Sequence, residues 1–215
     1  MVYSHKKKFL FIHIPKTAGT SLREVLSCHA AGPGFLNFLS RRITRLSPGL
    51  GQRFFYRWRT FEPHLHFSEA QDLLPSRELE SCYKFCFVRN PYDRLVSFFR
   101  HIEKHHEHPY HQRIKNWGGF PGLVEHLGEL AEPSQFSYTL NRERIPALDF
   151  VGRLENIDRD YEIVAGRLGL EVQLPHRNAN PGGRWRDFYT EELRREVRRF
   201  YAEDFVAFGY PDEIP

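Results

Sequence analysis

A chain of 215 residues, 40% of them apolar and 15% aromatic, is long enough to bury a full core, which excludes a disordered chain and favours one domain over residues 1–215. Lys and Arg outnumber Asp and Glu by only 31 to 27, and the resulting formal charge of +4 does not imply a nucleic-acid or general polyanion binder. Three cysteines, Cys28, Cys82 and Cys86, are too few and odd in number for a disulfide framework and fit a reducing, cytoplasmic setting, and no apolar run approaches the length of a transmembrane segment.

Lys6, Lys7 and Lys8 precede the apolar run 9–14 in a way that superficially resembles a secretory signal, but the run is too short for one. It reads as the first core strand, buried on both faces as in a parallel sheet. A helix is expected over 21–28, with Leu22, Val25 and Leu26 on one face, and Gly32-Pro33-Gly34 breaks it. Residues 35–60 are irregular, basic and aromatic. No Asp or Glu occurs between Glu24 and Glu62, whereas Arg41, Arg42, Arg45, Arg53, Arg57 and Arg59 all do. Ser68-Glu69-Ala70-Gln71 has the form of a capping box and predicts a short helix to Leu74, limited by Pro75.

Residues 83–88 form the second strong strand signal. Arg89-Asn90-Pro91 ends it, and Pro91 opens a helix carrying Leu95, Val96, Phe98, Phe99 and Ile102. The tail of that helix runs into His101, His105, His106, His108 and His111. Residues 117–147 read as short helices and loops, 147–154 as a third strand, and 158–168 as a helix stopped by Gly169. After a loop over 175–183, residues 190–208 read as one long amphipathic helix. Leu193, Val197, Phe200, Tyr201 and Phe205 give its apolar stripe, and Glu191 with Arg195 and Glu196 with Arg199 are its expected pairs. Strands alternating with helices predict an α/β fold with a central, mainly parallel sheet flanked by helices.

Two segments carry chemistry. In Pro15-Lys16-Thr17-Ala18-Gly19-Thr20-Ser21, a strand gives way to a tight loop and a helix start. Unpaired N–H groups at such a helix start, with the Lys16 charge and the hydroxyls of Thr17, Thr20 and Ser21, suit a phosphate or sulfate. It is not a Walker A loop, which places its Lys after the second glycine and immediately before Ser or Thr; here Lys16 comes early and only Gly19 follows. In Arg89-Asn90-Pro91-Tyr92-Asp93-Arg94-Leu95-Val96-Ser97, Arg89 stands at a strand end and Ser97 about two turns into the next helix. A second phosphate between them is one reading; an Arg89–Asp93 pair with Ser97 as a small packing residue is the other.

Together the two segments resemble the sulfotransferase superfamily, in the branch that includes heparan sulfate 2-O-sulfotransferase and many bacterial relatives. The resemblance continues into Asp149-Phe150-Val151-Gly152-Arg153-Leu154-Glu155-Asn156 and Ala202-Glu203-Asp204-Phe205. It implies a P-loop-like sulfotransferase fold and the donor 3′-phosphoadenosine 5′-phosphosulfate (PAPS), released as the bisphosphate PAP. Lys16, Thr17, Ala18, Gly19, Thr20 and Ser21 would bind the 5′-phosphosulfate, with Lys16 also neutralising charge on the leaving group. Arg89 and Ser97 would bind the 3′-phosphate, and Arg184 would belong to a late loop closing over the nucleotide. The resemblance also implies a histidine base between the motifs, at His64 or His66 in Pro63-His64-Leu65-His66-Phe67, with His64 favoured because Phe67 follows it by three residues. It implies no metal. The acceptor is a hydroxyl, with a saccharide or glycan the leading expectation because the basic, aromatic segment ahead of His64 suits an anionic or sugar group. A small-molecule kinase and a catalytically silent nucleotide-binding module are the rival readings. The histidines of 101–111 lack the Cys or carboxylate pattern of a metal site.

Overall fold

The computed structural model describes residues 1–30, 61–130, 133–171, 174 and 185–211. The basic segment 35–60 and the expected late loop with Arg184 lie outside the described residues. Contacts divide the chain into two compact units, Met1–Val88 with Ser137–Arg177, and Arg89–Phe136 with Asn178–Pro215.

The first unit holds a four-stranded sheet in the order β1-β2-β3-β4: β1 (Val2–Ser4), β2 (Phe9–Ile12), β3 (Tyr83–Val88) and β4 (Phe150–Arg153). The β2–β3 and β3–β4 pairings are parallel, with Phe11 opposite Phe85 and Phe85 opposite Phe150. The fold is thus α/β with a mainly parallel sheet, as the alternation of patterns predicts. The first strand, however, is β1 and not the apolar run at 9–14. β1 pairs antiparallel with β2, Val2 opposite Phe11. Lys7, in the turn between them, donates through Nζ to the carbonyls of Leu168 and Gly169, 3.2 and 2.9 Å away. That charge sits at the C-terminus of α7 (Ile157–Leu168), where a cation is favoured.

Alternate residues of the central strands point to opposite faces. Phe9, Phe11, Phe85 and Phe87 face one side and pack with Leu22 and Leu26 of α1 (Gly19–Ser27) and Val164 and Leu168 of α7. Leu10, Ile12, Cys86 and Val88, on the alternate positions, are also fully buried. A strand apolar at every position is therefore what this sheet requires, and each such side chain contributes about 1.5–3 kcal/mol of burial. Two short helices lead into β3: α2 (Phe67–Leu73) and α3 (Ser76–Ser81). α2 begins one residue before the expected Ser68. Its N-cap is His66, whose N–H donates to Glu69 Oε2 at 2.7 Å, so the box is formed by His66 and Glu69.

The second unit opens with Arg89 and α4 (Pro91–Lys104), capped by the Asn90 side chain on the Tyr92 N–H. It continues through α5 (His111–Asn116) and α6 (Phe120–Glu125). The expected helix over 190–208 is two helices, α8 (Glu191–Phe200) and α9 (Ala202–Phe208), separated at Tyr201. The apolar stripe runs across the break because Tyr201 is itself buried, 2% exposed. Glu191 pairs with Arg194 instead of Arg195, at 3.5 Å, while the Glu196–Arg199 pair forms at 2.6 Å. Tyr92 anchors this unit: its ring lies 6.2 Å from Trp185 and 5.0 Å from Phe205, and its carbonyl accepts from the Tyr189 hydroxyl.

Two glycines separate packing from propensity. A Cβ on Gly152 would lie 2.5 Å from Cε1 of the fully buried Phe87, whereas a Cβ on Gly166, within α7, meets nothing within 4 Å. Urea unfolding will show Gly152→Ala destabilised by about 1–3 kcal/mol and Gly166→Ala stabilised by roughly 0.5–1 kcal/mol.

Candidate functional site

Between β2 and α1 the backbone turns through two left-handed residues that are not glycine, Lys16 at φ 67° and Ala18 at φ 60°. Such residues cost about 1–3 kcal/mol each and persist where surrounding structure enforces them. Here the enforcement is visible. The Thr17 hydroxyl is buried and donates to the Ile14 carbonyl at 2.9 Å, closing the loop on itself. Thr17 therefore offers a ligand its main-chain N–H, its hydroxyl proton being committed. Ala18 is the N-cap of α1 without a side-chain cap, and no acidic residue lies in the first turn. The turn thus presents helix-start N–H groups beside Lys16, with Ser21 buried and Thr20 exposed. Alternating backbone hands with N–H groups turned to one side form an anion-binding concavity.

His13, the residue after β2, was not singled out by the sequence, because it sits inside an apolar run and reads as strand. It is only 7% exposed, and its buried Nδ1 has no hydrogen-bond partner. Its ring stacks on Phe11 at 5.9 Å and meets the His64 ring at 4.5 Å. It also explains the glycine of the loop: a Cβ on Gly19 would fall 1.6 Å from His13 Nε2. Burial lowers the His13 pKa to about 3, helped by the charges of His64, the Met1 amino group and Arg23. The ring is neutral across the physiological range.

His64 is exposed, and its Nδ1 lies 3.1 Å from the His13 carbonyl oxygen. A carbonyl only accepts, so Nδ1 carries the hydrogen, and in the neutral ring Nε2 keeps the lone pair. His66 is differently employed. Its main chain caps α2, its Nδ1 donates to the Ser137 carbonyl at 3.2 Å, and its ring stacks on Tyr138 at 4.0 Å and 15°. Lys16, Thr17, Ala18, Gly19, Thr20, Ser21, His64 and His66 all belong to the first unit, and one residue, His13, touches both the loop at Gly19 and the ring of His64.

Arg89 and Ser97 belong to the second unit. The Arg89 guanidinium grips Asp93 through Nε and Nη2, both at 2.8 Å, so the pairing weighed from the sequence is formed. A guanidinium has five N–H donors, of which Asp93 takes two, and the pair fixes its plane. Ser97 follows Asp93 by four residues on α4, on the same face, and is half-buried. At the C-terminal end of α4 and beyond it, His101 and His105 lie 4.1 Å apart ring to ring, and His106 Nδ1 lies 3.1 Å from His111 Nε2. Among the described residues no group of three or more His, Cys, Asp or Glu is arranged to hold a metal ion.

The profile of the sulfotransferase family matches residues 1–211. This chain belongs to the sulfotransferase family. Similar proteins include carbohydrate sulfotransferase 12 of Xenopus laevis, 28% identical over 173 residues, covering 62% of this chain and 41% of the relative. Carbohydrate sulfotransferase 10 of the same species is 21% identical over 258 aligned residues, covering 97% of this chain and 66% of the relative. This sulfotransferase-family chain therefore spans about two fifths to two thirds of the length of these relatives. Among solved structures, that of mouse sulfotransferase SULT7A1 complexed with PAP superposes with a TM-score of 0.50 at 15% identity, covering 94% of this chain and 85% of that one. The likeness shows an α/β sulfotransferase fold.

Two measurements check this part of the site. Gly19→Ala will displace the His13 ring, which is wedged between Phe11 and His64, and will abolish the low-field signature of the His64 Nδ1 proton in NMR spectra. The second concerns acid stability. Because the folded pKa of His13 is lowered, the unfolded chain takes up a proton below about pH 6.5 that the folded chain refuses until about pH 3. Stability is therefore lost as pH falls through that window. Relative to His13→Gln, the wild-type chain will lose up to about 1.4 kcal/mol per pH unit below pH 6 in urea titrations.

Proposed function

We propose that this chain transfers a sulfuryl group from PAPS to an acceptor hydroxyl, with His64 as the general base and a saccharide as the acceptor class. The observation that carries the reading is the junction at His13. A solvent-facing imidazole, its tautomer set by a main-chain carbonyl, is linked through that one residue to an anion-binding turn carrying a lysine. Family membership supports the reaction, and the PAP in the SULT7A1 complex supports the donor. The carbohydrate sulfotransferases among the relatives support the acceptor class.

Sulfuryl transfer needs in-line geometry and charge stabilisation more than covalent help. An acceptor hydroxyl is a weak nucleophile, and His64 Nε2 takes its proton as the new S–O bond forms, contributing typically ~10²–10⁴-fold. The old S–O bond breaks toward the nucleotide, and its bridging oxygen leaves with the 5′-phosphate. Lys16 and the main-chain N–H groups of residues 17–21 stabilise the charge that develops there. The Arg89 guanidinium, already oriented by Asp93, and the Ser97 hydroxyl hold the 3′-phosphate, and grip at that remote group fixes the donor for reaction. Arg184 remains part of the proposal as a residue of the closing loop. A cytoplasmic, reducing setting is proposed with it, supported by the free thiols of Cys28, Cys82 and Cys86.

Incubation with ³⁵S-labelled PAPS and a panel of saccharide acceptors tests the activity, with label appearing on the saccharide as the expected result. His64→Ala will lower kcat by at least about 100-fold with little change in PAP affinity. His66→Ala, by removing the bond to the Ser137 carbonyl and the stack on Tyr138, will act mainly on stability. An equal loss of kcat in both variants, at equal stability, would refute His64 as the base. Arg89→Ala will weaken PAP binding far more than binding of adenosine 5′-phosphate, as read by calorimetry.

A further inference from the structure

The reading of Arg89 as the 3′-phosphate anchor leaves open what holds Arg89 itself. It is the first residue after β3, so its main-chain N–H and C=O lie beyond the ladder to β4. Buried groups of this kind require partners. Both partners come from one side chain. The Arg89 N–H donates to Gln135 Oε1 at 2.9 Å, and Gln135 Nε2 donates to the Arg89 carbonyl at 2.8 Å. The Gln135 amide copies the two-bond exchange of a neighbouring strand at the point where no further strand residue is paired.

Gln135 is fully buried and is held in turn. Its main-chain N–H donates to Asp204 Oδ2 at 2.9 Å, its Nε2 also lies 3.3 Å from that oxygen, and the Phe136 N–H donates to Oδ1 at 2.8 Å. Asp204, at the start of α9, is fully buried as well. Arg94, one turn into α4, donates to the Pro133 carbonyl at 3.3 Å, and its positive charge acts on Asp204. The chain of contacts thus runs from Asp204 to the Gln135 amide, to the Arg89 main chain, and through the Arg89 side chain to Asp93.

We infer that Gln135 and Asp204 are positioning residues for nucleotide recognition, fixing the Arg89 main chain so that its guanidinium meets the 3′-phosphate in one orientation. A side chain as long as arginine reaches many positions when its own backbone is loose. With the main chain gripped at both polar groups and the guanidinium plane set by Asp93, little freedom is left to lose on binding. The arrangement also assigns the amide specifically. Glutamate at 135 could still accept from the Arg89 N–H, but it has no donor for the Arg89 carbonyl and would set a second carboxylate against Asp204.

The inference rests on the proposed 3′-phosphate site, and the test separates the two. Binding of PAP and of adenosine 5′-phosphate is measured by calorimetry on the wild-type chain and on Gln135→Leu, Gln135→Glu and Asp204→Asn, each at a temperature where unfolding scans show it folded. The expected result is a PAP affinity about tenfold or more weaker in Gln135→Leu, with adenosine 5′-phosphate binding unchanged, so that the preference for the bisphosphate collapses. Asp204→Asn, which keeps one acceptor oxygen, will lose less. In the radiolabel assay Gln135→Leu will raise the donor KM more than it lowers kcat. A structural role alone would lower the unfolding temperature and leave the nucleotide preference of the folded variants intact, and that result overturns the inference. If Gln135→Leu does not fold, Gln135→Glu and Asp204→Asn carry the same comparison. A wild-type chain with no preference for the bisphosphate overturns the site assignment, and the inference falls with it.

Discussion

The hydrogen bond from His64 Nδ1 to the main-chain carbonyl of His13 is the contact that ties the His64 ring to the start of the turn at 15–19. It directs the basic nitrogen of an exposed ring outward from a backbone point that also begins the anion-binding turn. The His13 ring then matters through its lack of charge. Two imidazolium rings 4.5 Å apart would repel by about 4 kcal/mol at an effective dielectric of ~20. Burial holds His13 neutral, which removes that repulsion. The His13 carbonyl orients the His64 ring without adding a full charge.

The two units fix Lys16 and Arg89 by different means. In the first, the conformation of the backbone is the device: left-handed residues at Lys16 and Ala18, a Thr17 hydroxyl turned inward, and a glycine required by the ring beneath it. In the second, side chains act on a main chain of ordinary conformation, through Gln135 on Arg89 and Asp204 on Gln135. The second device buries a carboxylate. Burial raises the Asp204 pKa, and N–H bonds from Phe136 and Gln135, together with Arg94, act in the opposite direction. Donors convergent on both carboxylate oxygens are what such a group needs away from water.

Much of this was legible in the sequence where the signal is local. The run that became β2 is apolar at every position, and that of β3 from Phe85 to Val88, because both sheet faces are covered there. Pro91 and Gly169 mark helix ends by their own backbone constraints, and the anion turn is written in consecutive residues. The parts not legible depend on distant partners. β1 is three residues long, too short for a period, and exists because β2 offers an edge. The break at Tyr201 leaves the apolar stripe unbroken, so periodicity cannot reveal it. His66 takes the cap position in place of Ser68, and its ring also finds Ser137, 71 residues away in sequence, and the neighbouring Tyr138. His13 looks like one more strand residue until Gly19 and His64 are brought against it. Gln135 carries no motif at all.

The support of Arg89 by residues distant in sequence has a bearing on how the chain is made. Arg89 waits on Gln135, 46 residues downstream, and Gln135 waits on Asp204, a further 69. Synthesis proceeds from the N-terminus, so the anion turn at 15–21 emerges from the ribosome long before the carboxylate that completes the arginine's support. Closing such long loops is slow relative to forming a helix or a tight turn. The nascent protein can therefore form its Lys16 turn early, while the support of Arg89 stays incomplete until the segment following α8 has been translated and folded.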